Sequence, residues 1–271
     1  MSTRSDVYVH GHHESVLRSH RWRTAENSAA YLLSSLEPGM RLLDVGCGPG
    51  TVTVDLARRV APGEVVGIDA SERVVEIART TASDAGVPNA TFEVGDAYTL
   101  PFEDDSFDVV HAHQVLQHLT DPVAALREMR RVARPGGIVA VRESDYAGMT
   151  WYPTSPGLDE WSELYHEVAS ANHAEADAGR RLVSWVRAAG FDPATTVPGA
   201  GVWCYSTPED RTWWAELWAE RCLASNFAAQ AIMHGLADEV GLELIADAWR
   251  EWGRTPDGWF AVLHGEVLAR A

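Results

Sequence analysis

Two textures of apolar and polar residues alternate along the first half of the 271-residue chain. One is the short run that is apolar almost throughout: "RLLDVG" (41–46), "EVVGID" (64–69), "ATFEVGD" (90–96), "SFDVVHAH" (106–113) and "IVAVRES" (138–144). Such runs predict strands covered on both faces, because a strand with one wet face would alternate. The other texture has helical spacing with caps. "TAENSAAYLLSSL" (24–36) predicts a helix with Thr24 as N-cap, and "TVTVDLARRV" predicts one stopped by Pro62-Gly63. "SERVVEIARTTASDAG" predicts a third, with Ser71 as N-cap and Gly86 just past its end. In "DPVAALREMRRVARPGG", Asp121 caps, Pro122 takes the first turn and Gly136 is expected to end the helix. Strands alternating with helices of this length predict an α/β fold built on a parallel, doubly wound sheet.

Beyond Ser144 the texture changes, and ten of the 11 tryptophans lie at or after Trp151. "GRRLVSWVRAAGF" (179–191) predicts one more helix on the sheet, and "VWCYST" (202–207) and "GWFAVLHGEVLAR" (258–270) predict strands. The sheet is therefore expected to be seven-stranded and mostly parallel. Residues 145–178 and 208–254 are expected to be helical lid insertions, with 1–38 a helical cap and 40–144 the ligand-binding core. No Gly/Ser/Pro-rich linker separates these parts, so 1–271 reads as one domain.

Composition narrows the partners. The net charge is −17, which repels phosphate backbones and anionic lipid, so neither nucleic acid nor membrane is expected. No apolar run approaches the ~18 residues of a membrane span, and "MSTRSDVYVHGHHES" lacks the apolar stretch of a signal peptide. Cys47, Cys204 and Cys222 form no CxxC pair, so a cytoplasmic protein without a disulfide framework is expected, as monomer or homodimer. Core packing is expected for Cys204 and Cys222.

The chemistry concentrates in "LLDVGCGPGT". A strand ends at Asp44, and Gly46, Gly48 and Gly50 lead through a tight turn into a helix whose free N–H groups suit an anionic group. The spacing is not the GxGxxG of dinucleotide binders, and Asp44 would repel a pyrophosphate but attract an ammonium group. Asp69 ends the second strand, where a carboxylate can take two ribose hydroxyls. Asp96 and Ala97, after the third, can reach an adenine. A nicotinamide-dependent dehydrogenase and a non-catalytic ligand-binding module are the alternative readings of such a sheet.

Four segments in order, "LLDVGCGPG", "VVGIDAS", "GDAYTLPFEDDSFDVVHAHQVLQHL" and "REMRRVARPGG", resemble the class I S-adenosylmethionine (SAM)-dependent methyltransferases. The similarity covers roughly residues 40–145, and its closest flavour is the ubiquinone/menaquinone-biosynthesis-like group acting on small molecules. It implies a Rossmann-like fold, SAM as cofactor, and methyl transfer to an O, N or C nucleophile of an aromatic or apolar acceptor. It also implies that Gly46, Cys47, Gly48 and Gly50 hold the methionine part, with Asp44 beside it. Asp69 and Ala70 would take the ribose, and Asp96 and Ala97 the adenine. Gln114 and Val115 would lie beside the cofactor.

The remaining candidates are expected at the acceptor. His118 and Asp145 are the catalytic candidates; His118, Trp151, Tyr152 and Trp203 are expected to line the acceptor pocket. Tyr205, Trp213, Trp214 and Trp218 belong to the same lid aromatics. Trp161, Trp185, Trp249 and Trp252 read as helix core. His111 and His113 share a strand face and read as satisfied, partly buried histidines. Glu143 is expected to pair with Arg142 or nearby charges. No HExxH or carboxylate-anchored pattern suggests a metal. In "HGHHESVLRSHRWR" (10–23), Tyr8 just before it, His20 and Arg23 are lid candidates. Arg23 or Arg18 is available to the methionine carboxylate, with surface pairs to Glu14 and Glu26 as the alternative.

Overall fold

A computed structural model describes Val9 and residues 14–271; Tyr8 and His10 lie outside the described residues. The chain runs α1 (Glu14–Arg21), α2 (Ala25–Ser28), α3 (Ala30–Leu33), β1 (Leu42–Val45), α4 (Thr51–Val60), β2 (Val65–Asp69), α5 (Glu72–Asp84), β3 (Ala90–Val94) and β4 (Phe107–His113). Then follow α6 (Pro122–Val132), β5 (Ala133–Ser144), β6 (Thr150–Tyr152), α7 (Pro156–Ala171), α8 (Ala178–Ala188), β7 (Val197–Tyr205), α9 (Pro208–Ala224), α10 (Asn226–Met233), α11 (Glu239–Arg254) and β8 (Trp259–Arg270).

The parallel strands lie in the order β3-β2-β1-β4-β5, and β8 continues the sheet antiparallel to β5. The eight strands occupy seven positions. Residues 264–270 of β8 pair with β5, and residues 259–261 of the same strand pair with β6. β7 pairs along residues 260–268, so it holds the other edge of β8. β6 thus prolongs the line of β5, which is why seven strands are countable from the sequence and eight are present.

Most caps fall where the pattern places them. Ser71 accepts from the Val74 amide, Asp121 from Ala124, and Thr24 and Asn27 form a reciprocal capping box. Two expectations are corrected. The helix expected over 24–36 breaks at Ala29 into α2 and α3. The Trp203 indole donates to the Asn27 carbonyl at 2.6 Å, taking the acceptor that an unbroken helix would offer to the amide of residue 31. The last helix of the core ends at Val132, not Gly136. Pro135 excludes the preceding residue from helical geometry, and Gly136 (φ 77°) instead turns within the β5 segment.

Three buried clusters follow. α4 and α5, with α2 and α3, cover one face of the parallel strands; α6 and α8 cover the other. The insertions build the third, in which Trp161, Trp218, Trp249 and Phe260 pack with ring centroids 4.6–6.2 Å apart. Trp161, Trp249 and Trp252 are core, as expected, and Trp185, on α8, packs partly buried against the second cluster. Among the described residues no helix is long and apolar enough to cross a membrane.

Candidate functional site

The glycine loop leaves β1 in a conformation its residues dictate. Gly46, Gly48 and Gly50 have φ of 70°, 54° and 81°, the left-handed region that a Cβ disfavours. At Gly46 a Cβ would also lie 2.3 Å from a Val115 methyl carbon. The loop therefore lets a ligand reach the backbone. Asp69, at the end of β2, accepts from the amides of Gly48 (3.2 Å) and Ser71 (3.0 Å), which fixes its carboxylate at the loop. Asp96 lies just past β3 and accepts from the Tyr98 amide at 2.9 Å. Asp44 is buried; its Oδ2 accepts from Thr53 Oγ1 at 2.5 Å and its Oδ1 faces His111 Nδ1 at 2.7 Å.

These groups line one cavity of about 430 Å³, a size proper to small-ligand sites. Asp44, Gly46, Cys47, Gly48, Asp69, Ala70, Asp96, Ala97, Gln114, Val115, His20, Arg23 and His118 all border it. Gly50 does not; its place is the αL position that starts α4. The lining fits SAM: Asp69 offers a fixed carboxylate to a pair of hydroxyls and the loop offers close backbone approach, while buried Asp44, both oxygens engaged, offers only its charge.

The turn after β4 forms the opposite wall. Gln114 (φ 54°) accepts from the Arg23 guanidinium and packs its amide nitrogen 2.9 Å from His264 Nε2. Glu143 does not pair with Arg142, which binds Glu266 instead (3.0 Å). Its carboxylate accepts from the amides of Val115, Leu116 and Gln117 at 3.0, 2.8 and 3.3 Å. Burial pushes Glu143 up to about 7 against the pull of those three N–H groups. His118 sits at the end of this turn, and burial together with the Arg23 charge brings it down to about 3, so its imidazole is neutral. Burial and the charges of Arg23 and Arg142 likewise hold His113 well below the usual histidine range.

A second, smaller cavity of about 30 Å³ adjoins the first, and His20, Arg23, Gln114 and His118 border both. Its walls are aromatic: Trp22, Trp203, Tyr205, Trp213, Trp214 and Trp218. Tyr205 stacks on Trp214 at 4.3 Å, and Trp22 meets Trp203 edge-on at 5.2 Å. Among the described residues no Asp or Glu lines it.

Several expected residues stand elsewhere. Asp145 is buried and bound by the Arg180 guanidinium (2.7 Å) and amide (3.0 Å), and lines neither cavity. Trp151 stacks on Phe260 at 5.6 Å within the aromatic core, and Tyr152 is exposed; β6 carries both away from the site. Arg18 pairs with Glu220 (2.8 Å) and Glu26 with Arg59 (3.0 Å); the side chain of Glu14 lies outside the described residues. Cys204 is exposed rather than packed, whereas Cys222 is buried. Tyr8 lies outside the described residues. His111 and His113 border the main cavity with ring nitrogens that find no partner among the described residues; the signal for them is their shared face on the strand beside Asp44.

A doubly wound sheet with a glycine loop after its first strand and a carboxylate after its second defines a nucleoside-binding enzyme class. A family described as "Methyltransferase domain" matches residues 36–207. An uncharacterized methyltransferase of Schizosaccharomyces pombe is 33% identical over 274 residues, covering 96% of this chain and 95% of that one. A demethylmenaquinone methyltransferase of Staphylococcus aureus is 41% identical over 128 residues, 47% of this chain and 50% of that one. A phosphoethanolamine N-methyltransferase of Haemonchus contortus, solved with phosphomonomethylethanolamine and S-adenosylhomocysteine, shares the fold. Its TM-score is 0.57 at 17% identity, over 95% of this chain and 58% of that one. The chain belongs to the methyltransferase domain family and is a class I SAM-dependent methyltransferase. The dehydrogenase and non-catalytic readings fall with that assignment.

Proposed function

We propose that this enzyme methylates a small, planar aromatic acceptor seated between the glycine-loop cavity and the aromatic annex. The observation that carries the reading is the junction: four side chains, His20, Arg23, Gln114 and His118, border both spaces. Asp69 and Ala70 would hold the ribose, Asp96 and Ala97 the adenine, and Gly46, Cys47 and Gly48 the methionine end, with Arg23 facing its carboxylate. When bound, SAM supplies an electrophilic methyl group on a sulfonium. The chain's own work is then to align an acceptor nucleophile with that methyl and to exclude water. The rings of Trp203, Trp213 and Trp214 offer flat apolar faces for the acceptor. Neutral His118 orients it by hydrogen bonding.

Calorimetry tests the reading. S-Adenosylhomocysteine should bind the wild type. Asp69→Ala should weaken it by about ten- to a hundredfold, the loss expected for hydrogen bonds to a charged group. Trp213→Ala should leave that affinity in place while raising the KM of a phenolic or quinol acceptor found by a methyl-transfer screen. An acceptor confined to aliphatic amines, with KM indifferent to Trp213, would overturn the aromatic assignment.

A further inference from the structure

Two imidazoles near the junction of the cavities have their lone pairs taken up inside the protein. The Ser144 amide donates to Gln117 Oε1 at 3.3 Å. A backbone N–H can only donate, so the other end of the Gln117 amide, 3.0 Å from His118 Nε2, is its NH2 group, and the ring nitrogen accepts. The neutral His118 ring then carries its proton on Nδ1. The same accounting settles His264. The Arg23 guanidinium donates to Gln114 Oε1, so the Gln114 NH2 group donates to His264 Nε2 (2.9 Å), and His264 Nδ1 donates to the Val262 carbonyl (3.1 Å). Neither ring keeps a lone pair with which to take a proton from an acceptor; His118 meets a ligand as an N–H donor. Charge points the same way. Arg23 and Arg221 both border the annex, and Arg221 donates to Ser19 Oγ while lying 4.9 Å over the Trp218 ring. Asp44, Asp69 and Asp96 border only the glycine-loop cavity, so the ligand space runs from acidic at that end to cationic at the junction. His20, Arg23 and His118, the titratable side chains common to both spaces, are half-buried and so open to a ligand.

We propose that the acceptor binds already ionised, as an aromatic carboxylate or an acidic phenolate, with its oxyanion at the junction against Arg23 and the Nδ1–H of His118. The inference rests on the proposed seat of the acceptor and narrows its occupants to acids. Arg23 has five N–H donors, enough to face the methionine carboxylate from one side and the acceptor from the other. Methyl transfer to such an oxygen moves no proton. The new C–O bond forms as the methyl–sulfur bond breaks, and the electron pair of that bond stays on sulfur.

Calorimetry on the S-adenosylhomocysteine complex tests this with benzoate and its neutral analogue benzamide. Benzoate should bind at least about tenfold more tightly. His118→Ala should weaken benzoate by about tenfold and benzamide by less than about threefold, and His118→Asn, which returns an N–H near the Nδ1 position, should recover most of the loss. Equal affinity for the two probes, binding of neither, or equal weakening of both by His118→Ala would overturn the proposal. A preference for benzoate with an affinity indifferent to Trp213→Ala would instead overturn the aromatic seat beneath it. For acceptors from the methyl-transfer screen, kcat/KM should rise with pH through each acceptor's own pKa. A rise at one pH common to acceptors of different acidity, abolished by His20→Asn, would assign proton removal to His20 and overturn the proposal.

Discussion

Gly46 shows how one residue couples backbone conformation to the ligand space. Its φ is 70°, and a Cβ added there would lie 2.3 Å from a Val115 methyl carbon. Val115 cannot simply retreat, because its amide is held by Glu143. Gly46→Ala should cost about 1–2 kcal/mol of stability from the left-handed backbone alone, and S-adenosylhomocysteine affinity should fall by more than about tenfold. Gly46→Ala with Val115→Ala should recover the steric part only. Gly136→Ala is the control: it has φ 77° with open space around the added methyl, so stability should drop while ligand affinity stays. Urea unfolding and calorimetry read both quantities. At this scale the sequence is informative wherever backbone chemistry decides the outcome, as at the three loop glycines, Asp69 and the Thr24 cap. It is silent where a side chain chooses a distant partner. Asp145 reads as open at a strand end, but Arg180 lies 35 residues on and takes it; Glu143 reads as an ion-pair partner, but a turn 26–28 residues upstream presents three amides to it.

Among the elements, those of the parallel core are legible because each carries its own pattern and cap. The insertions are legible as helices but not in their placement. Residues 150–152 pair with 259–261, a contact across more than 100 residues that no local pattern announces, and it removes Trp151 and Tyr152 from the site. α1 stands at the cavity rim. Eight residues are too few for a stable isolated helix, so its order comes from docking. Arg221 donates to Ser19 Oγ at 2.6 Å, Thr51 donates to the His20 carbonyl at 3.2 Å, and the His20 ring lies over Gly48. The exposed Arg18–Glu220 pair adds little. Because His20 and Arg23 border the cavity, a ligand there should add contacts that only the docked helix makes. Amide hydrogen exchange should show added protection over residues 14–23 with S-adenosylhomocysteine. Trp22→Ala, which removes the ring set among Trp203, Tyr205 and Trp213, should reduce that protection and speed ligand release. Unchanged exchange in the wild type would mean that α1 is a fixed wall.

For the whole molecule, the buried titratable groups set an asymmetric response to pH. Burial, with the Arg23 and Arg142 charges, keeps His113 and His264 neutral well below the usual histidine range, and His118 is lowered to about 3. In the unfolded chain these three take up protons near pH 6.5. Their contribution is therefore present above pH 6.5 and lost as the pH falls below it. Glu143 runs the other way: raised to about 7, it is protonated in the folded state first, and its contribution is present at low pH and lost as the pH rises through 7. At pH 6.5 the three unfolded histidines are half protonated; by about pH 5 the unfolded state binds roughly three protons from these groups and the folded state one. The net slope near pH 5 is then a loss on the order of a few kcal/mol per pH unit, steep against the ~5–15 kcal/mol of a typical domain. Urea unfolding from pH 8 to 5 should show stability falling below pH 6.5 despite the opposing carboxyl. Replacing Glu143 by Gln removes the opposing group, so the variant's curve should fall more steeply over the same interval. A wild-type curve that is flat from pH 6.5 to 5 would mean that the three histidines do not stay neutral in the folded protein.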